Sequence, residues 1–117
     1  LLLSEVAEPP AQMVDSLTTL FKTLKTVKRA FLCSIKESAD APANLLIGIE
    51  AEGDIESIIQ TTGSVATDTL PGDEPIDICQ VVEGEKGISH FMIAHITPFY
   101  EKRWGSFLRD FKQNRII

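Results

Sequence analysis

Val27-Lys28-Arg29-Ala30-Phe31-Leu32-Cys33-Ser34-Ile35 and, one short loop later, Asn44-Leu45-Leu46-Ile47-Gly48-Ile49-Glu50-Ala51 are the two runs on which the fold turns. The first alternates, with Val27, Arg29, Phe31, Cys33 and Ile35 on one side and Lys28, Ala30, Leu32, Ser34 and Lys36 on the other, which is the period of a strand. The second is continuously apolar at its centre, as suits a central strand covered on one or both faces. Between them Glu37 to Ala43, with Ser38, Asp40 and Pro42, carries turn residues, so the pair reads as a hairpin.

Upstream of the hairpin, Met13, Val14, Leu17, Leu20, Phe21 and Leu24 recur at helical spacing behind Pro9-Pro10, which predicts an amphipathic helix with Pro tolerated in its first turn. Leu1 to Val6 ahead of it is apolar enough to be expected as a first, buried strand. Downstream, Gly53-Asp54 starts a second helix in which Ile55, Ile58, Ile59, Val65 and Ala66 keep phase across Gly63, a residue that either caps the helix or lies within it. The loop Leu70-Pro71-Gly72-Asp73-Glu74-Pro75 leads to an alternating strand from Ile76 to Val82. From Ile88 to Ile96 the pattern fits either a helix or a strand, and the shared face of Ile88, Met92, Ile93 and Ile96 favours the helix. Thr97-Pro98 resembles a helix start, and Trp104, Phe107, Leu108 and Phe111 follow at i, i+3, i+4 and i+7.

The order βαββαβ with one or two appended C-terminal helices is the plan of a ferredoxin-like α+β sandwich. In its usual strand order, 4-1-3-2, the first strand and Asn44 to Ala51 would be central, and Cys33 and Cys79 would sit on opposite edges, too far apart to bond. The whole chain, residues 1–117, is expected to be one domain, with 97–117 as a basic aromatic helical tail.

With 117 residues, 44% hydrophobic and 24% charged, the composition is that of a globular domain. The longest apolar run, Leu45 to Ile49, is far short of the roughly 20 residues a membrane span requires. The start Leu1-Leu2-Leu3-Ser4-Glu5 has neither Met nor a basic region, which reads as a segment of a longer protein rather than a signal peptide. Two cysteines without a C-x-x-C pattern are expected to be buried, reduced thiols, in keeping with a cytoplasmic home. From Glu37 to Glu85 the sequence holds no Lys, Arg or His, whereas Lys102, Arg103, Arg109, Lys112 and Arg115 outweigh Glu101 and Asp110 near the end. A net charge of −6 and a single predicted strand aromatic, Phe31, argue against nucleic acid as a partner.

No catalytic pattern emerges. His90 and His95 are five apart and diverge on a helix, no Ser lies in a G-x-S-x-G turn, and no glycine pattern would cradle a phosphate. Asp73, Glu74 and Asp77 crowd a Pro-Gly turn but match no calcium loop, so a solvated acidic loop is the reading. No metal or other cofactor is expected. The unusual local composition is Phe99, Tyr100, Lys102, Arg103 and Trp104, residue types enriched at contact hot spots, although a terminal helix packing on its own domain would use them equally.

As a set, Glu8-Pro9-Pro10, Asn44 to Glu50, Leu70-Pro71-Gly72-Asp73-Glu74-Pro75-Ile76-Asp77-Ile78, Pro98-Phe99-Tyr100-Glu101-Lys102-Arg103 and the closing Phe107 to Arg115 resemble the C-terminal domain of the SseB family, whose name refers to enhanced serine sensitivity. The resemblance covers essentially the whole chain and suggests an enterobacterial member. It implies a cytoplasmic bacterial protein with a further domain ahead of this one, and it supplies no catalytic residue. The expectation is a non-enzymatic interaction or regulatory module with a protein partner, a second copy being the simplest, and no membrane partner. An amino-acid-sensing domain is the alternative, and an enzyme of serine metabolism is the distant third.

Overall fold

The computed structural model describes residues 1–70, 72 and 74–102 of the chain. The elements run β1 (Leu2–Ser4), α1 (Ala11–Thr23), β2 (Val27–Lys36), β3 (Asn44–Ala51), α2 (Ile55–Thr69), β4 (Ile76–Gln80), α3 (Ile88–His95) and β5 (Tyr100–Glu101). β2 and β3 form the expected antiparallel hairpin, and β3 pairs in parallel with β4 across the α2 crossover. β3 is central, as its apolar run demands.

The rest of the sheet departs from the 4-1-3-2 order. The described strands run β1-β2-β3-β4, with β5 also on β2. β1 is a three-residue edge strand paired with the far end of β2, through Leu2↔Lys36 and Ser4↔Ser34, and Leu2 is 49% exposed. Its leucines are too few before the polar Ser4-Glu5 to build a strand flanked on both sides, so apolar character alone misplaced it. β2, expected at an edge, is internal where β1 and β5 pair with it.

Alternation places the core. Ala30, Leu32, Ile47 and Ile49 face α1 and α2, where Met13, Leu17, Phe21, Ile58 and Ala66 complete the larger cluster. Phe31, Cys33, Leu46 and Val81 face the other way, against Met92 and Ile96 around α3. Cys79 packs on that same cluster, so the two thiols share a face with β3 between them rather than lying on opposite edges; both are free. Val27 breaks the alternation. The pairing shifts between Val27↔Ala51 and Arg29↔Glu50, and this bulge turns Val27 to the α1 side, where it is fully buried.

α2 begins where Asp54 accepts a hydrogen bond from the Ser57 backbone N–H at 3.2 Å, after Gly53 at φ +84. Gly63 lies inside the helix, where an added Cβ would stand 3.5 Å from Ile78 Cδ1. α3 forms as expected, and Ser89 Oγ accepts from the Val82 N–H at 3.1 Å, fixing the turn that leads into it. Thr97-Pro98 does not start a helix. Phe99 N–H donates to the Ala30 carbonyl at 2.9 Å and Lys102 N–H to that of Lys28 at 2.8 Å, so the chain is drawn out to satisfy the open edge of β2.

Gly48 is where β3 meets α3. A Cβ there would collide with Met92 Sδ and stand 2.6 Å from Val81 Cγ2. Gly48→Ala is therefore expected to cost about 1–3 kcal/mol through overpacking. Urea denaturation of the single variant and of the double variant with Met92→Ala checks this, since the smaller residue at 92 should recover part of the loss in the cycle.

Candidate interaction surface

Two short strands share the outer edge of β2 without covering it. β5 occupies Arg29 and Ala30, and β1 occupies Ser34 to Lys36, leaving the stretch between without a registered partner among the described residues. A cavity of about 220 Å³ opens there, lined by Glu5, Val6, Pro9, Val14, Leu32, Ile96, Thr97 and Phe99. Its walls are mostly apolar, with one carboxylate and one hydroxyl.

On the β5 side of this slot lies a groove of about 620 Å³ bounded by Thr18, Lys22, Lys25, Phe99, Tyr100, Glu101 and Lys102. Helical spacing delivers Thr18 and Lys22 from one stripe of α1, and the turn after the helix adds Lys25. Lys102 Nζ donates to the Lys25 carbonyl at 2.5 Å, tying the end of β5 to that turn. Phe99 and Tyr100 turn their rings onto Phe21, with centroids 6.1 and 5.7 Å away. Both rings are thus anchored in the core and only half-buried.

On the β1 side is a groove of about 550 Å³ that includes Glu5, Val6, Glu8, Pro10, Glu74 and Pro75. The three glutamates are exposed. Of the acidic loop, Glu74 therefore meets Glu5 and Glu8, while Asp77 points from β4 into a different recess beside Leu1, Ile35 and Asn44. Asp73 lies outside the described residues, as do Arg103 and Trp104 and the rest of the predicted tail helix. Among the described residues, no three His, Cys, Asp or Glu side chains gather as metal ligands would. His90 and His95 are exposed, and His95 lies against Phe91.

Sequence reasoning missed Lys22, Lys25, Glu5 and Glu8, because only the docking of β1 and β5 along β2 brings them to one edge. It also missed the fork in which Arg29 Nε meets Glu50 Oε1 at 2.5 Å and Nη2 meets Oε2 at 3.2 Å, with the guanidinium 5.5 Å from the Phe31 ring centre. The hydrogen bond to Glu50 holds the Arg29 guanidinium above its ordinary pKa. Direct cross-strand pairing of Arg29 with Glu50 is the signal that could have found it, once the bulge was known.

Among the described residues the fold defines a mixed α+β domain in which a five-stranded sheet carries two helices on one face and one on the other. The chain belongs to the SseB protein C-terminal domain family, whose model matches residues 1–102. It is 82% identical over 117 residues to the proteins called Protein SseB of Escherichia coli (strain K12) and Shigella flexneri, covering 100% of this chain and 45% of each relative. The chain thus spans less than half the length of these curated relatives. No solved structure matches it. No described helix is long and apolar enough to cross a membrane.

Burial of Cys33 in the α3-side cluster pushes its thiol up to about 11, with the neighbouring Cys79 adding to the shift. A raised thiol pKa means the folded state holds the proton more tightly, so the associated stability is present below the unfolded value and is lost as pH rises toward about 11. Urea midpoints at pH 8 and pH 10 should fall less steeply in Cys33→Ala than in the parent. An identical fall in both proteins would contradict this burial of the thiol.

Proposed function

We propose that this domain is a non-enzymatic interaction module that works by contact along the outer edge of β2. The observation that carries the reading is the groove where Lys22, Lys25 and Lys102 converge beside Phe99 and Tyr100. In a chain of net charge −6, lysines gathered around core-anchored aromatic rings form a locally positive surface with rigid apolar contact area. That combination suits recognition of an acidic protein surface, because long-range attraction speeds encounter and ordered rings lose little entropy on contact.

A photo-crosslinking residue at position 100 tests the reading. It is expected to yield discrete protein adducts that disappear in the Lys22→Glu, Lys25→Glu variant, whereas the same residue at Asp68 on α2 gives none. Adducts from position 100 that persist unchanged after both charge reversals would refute the groove as the contact.

The slot at the β2 gap favours a second reading, amino-acid sensing, since about 220 Å³ holds a small zwitterion. Glu5 could receive the ammonium group there, yet among the described residues no base lines the slot to receive an α-carboxylate. Calorimetry with serine and similar amino acids at millimolar concentration is expected to register no heat. A saturable signal that vanishes in Glu5→Gln would replace the interaction reading by this one.

A further inference from the structure

The acidic groove, the slot and the basic groove form one strip. Glu5 and Val6 line both the acidic groove and the slot, and Phe99 lines both the slot and the basic groove. One stripe of α1 and its cap runs beneath all three. Pro10 borders the acidic groove, Val14 the slot, and Thr18 and Lys22 the basic groove, each four residues from the last. At 1.5 Å per residue Pro10 and Lys22 are about 18 Å apart, with Val14 between them.

A strip ordered negative, apolar, positive is self-complementary. Turned by a two-fold axis through its apolar middle, it meets a copy of itself with opposite charges facing at both ends, the reciprocity that an isologous contact requires. We propose that this strip is the face on which two copies of the chain pair, Glu5 and Glu8 of each copy meeting Lys22 and Lys25 of the other while Val6, Val14 and Phe99 close over the two-fold axis. The proposal rests on reading the outer edge of β2 as a contact surface and names its partner. It also gives the gap in that edge a use, since the half-buried apolar residues around Leu32 gain cover.

The charges at the two ends are exposed. Such pairs are individually weak and screened by salt, so pairing is expected to be reversible and to loosen as ionic strength rises.

Sedimentation equilibrium of the chain over a range of concentrations, at low and high salt, supplies the test with two charge-reversed proteins. One carries Lys22→Glu and Lys25→Glu, and the other carries Glu5→Lys and Glu8→Lys. All four sites are exposed, and matching circular-dichroism melts will confirm that both variants fold. The parent should dimerise, each variant alone should dissociate about tenfold more readily or worse, and an equimolar mixture of the two should pair again because both ends are then complementary. A parent that stays monomeric at every concentration overturns the proposal, as does a dimer indifferent to both reversals or a ladder of species beyond two copies. If the parent is monomeric while adducts from position 100 still depend on Lys22 and Lys25, the pairing fails and the interaction reading stands.

Discussion

β2 is the longest strand of the sheet, and its demand for hydrogen-bond partners on both sides organises the molecule. On one side β3 matches nearly its full length; on the other, among the described residues, only the two short strands β1 and β5 are in register. An unpaired strand edge in a small domain invites uncontrolled association, so covering it is a condition of a well-behaved fold. Here the cover comes from the region before α1 and the region after α3, two segments remote in sequence. Their ends fail to meet, and the slot beside Leu32 is what their shortfall leaves.

That origin explains which parts of the fold were legible in the sequence. The hairpin, α1, α2 and β4 announce themselves by local periodicity and Asn44–Ala51 by its continuous apolar core, whereas the run that forms α3 fits a strand as well as a helix. β1 and β5 are too short for periodicity to speak. Leu1-Leu2-Leu3 reads as interior because it is apolar, and Thr97-Pro98 reads as a helix start because Pro is at home there. Each is instead placed by the backbone groups of β2, a non-local requirement without a signature in its own residues. The bulge at Lys28 has the same character, since it turns Val27 to the α1 side against the alternation of its neighbours.

The candidate surface was half legible for the same reason. Phe99, Tyr100 and Lys102 stand out by composition, and the structure sets all three at one groove. Lys22, Lys25, Glu5 and Glu8 belong to other segments and become neighbours of that edge only through strand docking. Glu74 and Asp77, close in sequence, read as parts of one solvated acidic loop. One precedes β4 and the other is on it, so they enter different recesses.

Charge placement then follows from chain direction. α1 runs from the acidic end of the strip to the basic end, with Pro10 at one and Lys22 at the other, so its partial negative C-terminal pole lies among the lysines, where cations are favoured. The acidic segment 37–85 contributes Glu74 to the opposite end, and Phe99 and Tyr100 are pinned to Phe21 between helix and sheet. Glu5 and Glu8 precede α1 and Lys22 lies in its last turn, so the rigid length of the helix stands between the two signs and keeps them apart. Both ends are exposed to solvent, so the helix length fixes the spacing at which a solvated acidic patch and a solvated basic patch are displayed along one edge.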